Sequence, residues 1–242
     1  MRLAVIDLVG TVVSDGGLAL DAVRRGLVSV GVPVAGPRVP ALERQARAAM
    51  DRPVPRIFAD LLDGDQRRAR LAAEVYEAWL CAEAAAGRVR AAPGAAAALV
   101  ALREADVAVA VVGNLSADAC DRLVTAAGLP VDVLLGPDDV AGRGLPEPDL
   151  VLAAARGADV DPADVVVAAD TTSAMVAAAR AGAGLALGVL GGAHPAPTLR
   201  AAGAHDVLTA VGELPARLGL PQPRIPAQDS SAPLGGRGAV IP

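Results

Sequence analysis

A parallel, doubly wound α/β sheet is the fold class this 242-residue sequence predicts. Three observations point to it. Short apolar runs, rich in Val and Ala and too short for isolated helices, recur along the chain: residues 3–6, 107–112, 165–169 and 185–190. Such continuous runs are the signature of strands buried on both faces of a parallel sheet. Ala/Leu-rich segments with helical spacing separate them, and strands alternating with helices imply parallel pairing. Finally, two of the runs end in a carboxylate, Asp7 and Asp170, at the strand terminus where open α/β sheets bind ligands.

The first run, Leu3-Ala4-Val5-Ile6-Asp7, passes through Leu8-Val9 into a Gly10-Thr11 turn and the apolar pair Val12-Val13. A carboxylate at that strand end is desolvated unless a cation, hydrogen bonds or a substrate compensates it; the competing reading is an acid that only caps the next turn. From about Leu18 to Gly87 the α/β rhythm breaks. Leu20, Val23, Leu27 and Val30 recur at helical spacing up to Gly31-Val32-Pro33, and helices are expected over 41–50, 55–62 and 66–86. Phe58, Tyr76 and Trp79, the chain's entire aromatic complement, fall here. They are read as packing between helices, with a lid lining a pocket as the alternative.

Alternation resumes at Ala92. A helix to Ala105 precedes the strand at 107–112, which ends in Gly113-Asn114-Leu115-Ser116; Ser116 is placed to cap a helix over 117–127. A short strand at 131–135 leads to a loop, 138–149, containing Arg143 and Leu145-Pro146-Glu147-Pro148-Asp149, and then to a helix over 150–156. Strand 165–169 runs into Asp170-Thr171-Thr172-Ser173, followed by a helix at 174–181. Strand 185–190, a Gly191-Gly192-Ala193-His194 loop, a helix at 198–202 and a short strand at 206–208 complete the pattern. Residues 221–242, rich in Pro, Gly and Ser without periodicity, are expected to be disordered.

Composition narrows the function. Apolar residues make up 53% of the chain and aromatics 1%, so an aliphatic core of good size is available. A net charge of −5 with no basic block argues against nucleic acid as a partner, and no apolar run reaches the ~20 residues of a membrane span. No secretory signal is read, and Cys81 and Cys120 fit free thiols in a reducing cytoplasm. All 22 basic residues are arginine, so no lysine imine can form and no lysine can neutralise a phosphate. The two strand-end carboxylates could share a Mg²⁺, a hard cation held by carboxylates, waters and phosphate oxygens; otherwise they are unrelated acids.

Asp7-x-x-Gly10-Thr11 resembles the nucleophile motif of the haloacid dehalogenase (HAD) superfamily, usually Asp-x-Asp-Gly-Thr, with Val9 in place of the second acid. Asp7–Thr11 and the stretches Val189–His194, Thr198–Gly203 and Val207-Leu208 look most like the phosphonatase-like branch. The resemblance covers about residues 1–218. It implies a Rossmann-like core over 1–14 and 88–220, an inserted helical C1-type cap over 15–87, and the tail at 221–242. By resemblance, Asp7 is a nucleophile that takes up a phosphoryl group, and Thr11 belongs to the same motif. The Val9 carbonyl and Asp170 join Asp7 in binding Mg²⁺, expected to be weak. Other family positions are replaced: Gly113 stands for a Ser or Thr, with Asn114 and Ser116 beside it; Leu145 stands for a Lys or Arg, with Arg143 nearest; Ala174 stands for a second acid.

Losing one preorganised donor typically costs ~10²–10³ in rate, and losing a general acid a further ~10²–10⁴ for a poor leaving group. The expected activity is therefore hydrolysis of a small phosphorylated or otherwise activated metabolite with a good leaving group, with Asp7, Thr11, Asn114 and Arg143 as the catalytic set. Phosphonoacetaldehyde hydrolysis is excluded by the missing lysine. A dehalogenase, whose halide leaves without a proton, is open chemically but lacks its usual lysine. The alternative is a repurposed protein of this fold that binds a small molecule or partner, or catalyses a non-phosphoryl reaction. A homodimer is left open.

Overall fold

The computed structural model describes residues 1–14, 16–36, 39–50 and 52–221. The expectation for the tail from 222 onward lies outside the described residues.

Strand β1 (Leu3–Asp7) turns through residues 8–12 into the two-residue strand β2 (Val13–Ser14). Four helices follow: α1 (Leu18–Ser29), α2 (Val39–Ala49), α3 (Val54–Leu61) and α4 (Gln66–Ala85). Strand β3 (Arg90–Ala91) then pairs antiparallel with β2, Val13 opposite Ala91 and Ser14 opposite Arg90. The chain thus enters and leaves the helical insertion through one narrow ribbon. Beyond it run α5 (Ala95–Glu104), β4 (Ala108–Val112), α6 (Ala117–Ala127) and β5 (Val133–Leu135). Then come α7 (Asp149–Gly157), β6 (Val165–Ala169), α8 (Thr172–Ala181) and β7 (Leu185–Val189). The last elements are α9 (Ala196–Ala201), β8 (Asp206–Leu208) and α10 (Leu214–Arg217).

Six strands form one parallel sheet in the order β5-β4-β1-β6-β7-β8. From β1 the chain moves outward to β4 and β5, then returns to β6 on the other side. The strand order reverses around β1, and that reversal opens the crevice where such sheets bind ligands. Leu3 pairs with Val165 and Ile6 with Ala168, so Asp7 and Asp170 leave neighbouring strands at nearly the same height.

The strand residues divide by alternation. Ala4, Ile6 and Leu8, with Val109, Val111, Val166 and Ala168, face a cluster that holds α5, α6 and the insertion. Leu3, Val5, Ala110, Val112, Val165 and Val167 face Leu150, Val151, Met175 and Leu199 of α7, α8 and α9. Within the insertion, Leu27, Phe58 and Leu80 are fully buried, each contributing about 1.5–3 kcal/mol by leaving water. Ser116 caps α6 as expected, its Oγ accepting the Ala119 N–H, and Gly128 ends that helix in the left-handed region at φ 63°.

Several local expectations shift. Helix α8 starts at Thr172 rather than 174, because Thr171 already has the extended backbone of an N-cap. Strand β5 starts at 133 rather than 131, and a 3-10 turn over Pro137–Val140 takes in the first residues of the expected loop. The pair β2–β3 and helix α10 were not foreseen; two-residue strands and a four-residue helix carry no readable period. Among the described residues, no helix is long and apolar enough to cross a membrane.

Candidate active site

Asp7 is 7% exposed at the end of β1. Its Oδ1 accepts the Leu8 N–H at 2.9 Å and its Oδ2 the Thr171 hydroxyl at 3.3 Å. The Ser173 hydroxyl in turn reaches Thr171 Oγ1 at 3.4 Å. These bonds set the plane of the Asp7 carboxylate from two directions. The turn behind it is tight: the Gly10 N–H bonds to the Val13 carbonyl, and the Val12 and Val13 N–H groups both bond to Leu8 O.

Asp170, 2% exposed, follows β6. Its Oδ1 accepts the Thr11 hydroxyl at 2.9 Å and its Oδ2 the Ala193 N–H at 2.7 Å, while the Asp170 N–H donates back to Thr11 Oγ1 at 3.1 Å. Gly10, at φ +88°, and Gly192 press against this carboxylate from two loops, and a Cβ on either would run into it. Burial pushes the Asp170 carboxyl up from the ordinary carboxylate range, against the pull of the Ala193 N–H and the Thr11 hydroxyl. Among the described residues, no arginine forms an ion pair with it.

Both carboxylates open on one cavity of about 310 Å³ between the sheet and the insertion. Its sheet side carries Asp7, Val9, Gly113, Asn114, Asp170 and Thr171; its insertion side carries Leu20, Arg47, Met50, Arg52, Ile57 and Tyr76. Of the residues singled out in the sequence, Asp7, Val9, Asn114 and Asp170 therefore meet around one space. Thr11 lies beneath it, buried and bonded to Asp170. Arg143 does not join them: its guanidinium pairs with Asp149, its side chain is 65% exposed, and it is not among the lining residues.

The replaced positions have local explanations. At Gly113 a Cβ would sit 3.1 Å from Cys120 Sγ and 3.4 Å from Leu8 Cβ, so the buried thiol fills the room a hydroxyl side chain would need. Leu145 turns its side chain into the core beside Val112 and Leu150, and only its N–H faces the site, donating to Asn114 Oδ1 at 2.9 Å. That bond fixes the Asn114 amide, with its NH₂ as the donor end. Ala174 is buried in the same core.

Three polar cavity residues, Thr171, Arg47 and Arg52, were not picked out from the sequence as site residues. Thr171 had a signal, a hydroxyl directly after a strand-end acid. Arg47 and Arg52 had none, since surface arginines on an amphipathic insertion are ordinary. The aromatics divide. Phe58 is fully buried, edge-on to Tyr76 with ring centroids 6.1 Å apart, and Trp79 lies under the Arg25 guanidinium at 4.8 Å. Tyr76 both packs and lines the cavity.

The family model of haloacid dehalogenase-like hydrolases matches residues 1–182. Among solved structures, the chain is similar to a hydrolase from Pseudomonas syringae, with 23% identity, a TM-score of 0.78, and coverage of 90% of this chain and 98% of that one. A HAD family hydrolase from Deinococcus radiodurans R1 with bound phosphate and sodium is 28% identical, with a TM-score of 0.63 over 90% and 95% of the two chains. CbbY from Rhodobacter sphaeroides in complex with phosphate is 23% identical, with a TM-score of 0.71 over 88% and 96%. The likenesses at 23% identity establish the fold. No curated protein matches the chain. With three quarters of its length under one family model, the chain belongs to the haloacid dehalogenase-like hydrolases.

Proposed function

We propose that the protein hydrolyses a small phosphorylated metabolite with a good leaving group, using Asp7 as the nucleophile. One observation carries this reading: two buried carboxylates, held by fixed donors at the ends of adjacent strands, open on a single cavity roofed by the helical insertion. The family membership supports it, as does the phosphate seen in the Deinococcus radiodurans relative. The insertion acts as a cap in this reading.

A Mg²⁺ ion fits the residues present. Two carboxylates and a backbone carbonyl are hard oxygen donors, and Asp170 is a buried carboxylate with no arginine ion-paired to it among the described residues. Asp7, the Val9 carbonyl and Asp170 would hold the ion. Among the described residues, no third acidic, histidine or cysteine side chain completes a cluster, which agrees with weak binding. When bound, the ion neutralises charge on the transferring phosphoryl group.

The chain's own residues do the rest. An Asp7 oxygen attacks phosphorus, the bond from phosphorus to the leaving oxygen breaks, and the electron pair departs with that oxygen. Val9 offers no proton, so the leaving group must be stable as an anion or be protonated by solvent. Water then attacks the aspartyl phosphate, releasing inorganic phosphate and restoring the Asp7 carboxylate. Thr171 and the Leu8 N–H keep that carboxylate in plane throughout, and Asn114, in the lining of the same cavity, is the amide assigned to a phosphoryl oxygen in this reading.

Release of inorganic phosphate from a panel of aryl, acyl and alkyl phosphates with Mg²⁺ tests the reading. Turnover is expected for aryl and acyl phosphates, far less for alkyl phosphates, and none for phosphonoacetaldehyde. No release across the whole panel would overturn it.

A further inference from the structure

Resting on that reading, we propose that His194 is a positioning residue for the reaction: it brackets the segment Asp170-Thr171-Thr172 and so holds Thr171 against Asp7 and the 191–193 loop against Asp170. The bracket has two bonds. The His194 N–H donates to the Asp170 carbonyl at 3.2 Å, and His194 Nδ1 accepts the Thr172 N–H at 3.4 Å. Thr171, between those two points, is the residue whose hydroxyl donates to Asp7 Oδ2. One residue before His194, the Ala193 N–H donates to Asp170 Oδ2 at 2.7 Å. A side chain that does not itself line the cavity thus fixes the segment that touches both carboxylates.

The sequence around His194 prepares this arrangement. Gly191, at φ +107°, turns the chain after β7, and Gly192 leaves room for the Asp170 carboxylate. Pro195 keeps His194 out of the helical backbone region. Residues 191–193 are exposed, whereas His194 is half-buried. Its accepting Nδ1 puts the ring proton on Nε2. The chain's other histidine makes the same pair of bonds elsewhere. His205 donates its N–H to Ala186 O at 2.8 Å and accepts the Ala186 N–H on Nδ1 at 2.9 Å. That second bracket lies at the amino-terminal ends of β7 and β8, the opposite end of the sheet from the cavity. It is a control with equal chemistry and no part in the site.

Two measurements on the full chain test this: phosphate release from an aryl phosphate with Mg²⁺, and amide hydrogen exchange of the peptide containing Thr172. His194→Ala should lower kcat about 10-fold with KM unchanged, because a small displacement of Asp7 spoils the reacting geometry rather than binding. Exchange at Thr172 should quicken in the same variant. His194→Asn offers its Oδ1 as an acceptor near the place of Nδ1 and should restore both. His205→Ala should lower the melting temperature and leave kcat and KM as in the wild type. Wild-type kcat in His194→Ala, a loss that His194→Asn does not restore, or an equal loss in His205→Ala would overturn the inference and leave the hydrolase reading intact. A His194→Ala protein that does not fold would overturn it too, since the ring would then hold the fold rather than the site. No phosphate release by the wild type from any activated phosphate would overturn the hydrolase reading, and this inference with it.

Discussion

On the sheet side of the cavity, all four carboxylate oxygens of Asp7 and Asp170 have a donor, and both side chains are buried. On the insertion side, Arg47 and Arg52 stand exposed; among the described residues Arg47 has no ion pair, and Arg52 pairs with Asp60. The first wall is preorganised by backbone N–H groups and hydroxyls that cannot move without breaking the sheet ends. The second can change residue by residue at little cost to the fold. Chemistry that must not vary belongs on the rigid wall, and selection among substrates on the adaptable one.

Substitutions on the two walls should therefore fail differently. The largest effect is expected on the sheet side. Asp7→Asn should lower kcat on an activated aryl phosphate by at least ~10³-fold while the protein still melts cooperatively near the wild-type temperature. Unchanged turnover would remove Asp7 from its role. Gly192→Ala comes next, because the new methyl must displace the Asp170 carboxylate. A cost of about 1–3 kcal/mol is expected, seen as a melting temperature lower by several degrees together with lost activity. Turnover as in the wild type would show that Asp170 need not sit where it does.

The walls were unequally legible in the sequence, for the same physical reason. Asp7 and Asp170 end apolar runs, and a strand terminus is a local property that one segment reveals. The buried strands β1 and β6 were readable from their uninterrupted apolar character, and α6 from its serine cap and following glycine. What brings Thr11 to Asp170, or Thr171 to Asp7, is pairing between β1 and β6 across about 160 residues of chain, which no local pattern records. The compensation of Gly113 by Cys120 is likewise a contact between a strand end and a helix face. Arg143 looked well placed by its nearness to the Pro146-Glu147-Pro148 turn, yet Asp149 holds it outside the cavity. Arg47 and Arg52 gave no sign, because lining a cavity is not a property that a local segment records.

One side chain ties the walls together. Glu77 of α4 accepts the Ser116 N–H at 2.9 Å and the Ser116 hydroxyl at 2.5 Å, placing a carboxylate at the N-terminus of α6. Glu77→Ala should cost about 1 kcal/mol, a fall of roughly 2–4 °C in melting temperature, and should raise KM more than it lowers kcat, since it loosens the insertion rather than the sheet. An equal fall in kcat with KM unchanged would place its effect on the rigid wall instead.

The smallest effect concerns the thiols. Burial pushes Cys120 up to about 12, so the thiol stays protonated and unreactive at any pH the native protein tolerates. Its alkylation should not accelerate between mildly acidic and mildly alkaline buffer, whereas half-buried Cys81 should label slowly. Rapid labelling of Cys120 in the native protein would mean that the packing under Gly113 is open, and a hydroxyl introduced there would then be tolerated.

The central claim is that Asp7 itself takes up the phosphoryl group. Acid quenching during turnover of an acyl or aryl phosphate, followed by peptic digestion and mass spectrometry, reads this directly. A single phosphoryl group on the peptide containing Asp7, absent from Asp7→Asn, is the predicted result; steady turnover with the phosphoryl group on another residue, or on none, would contradict it.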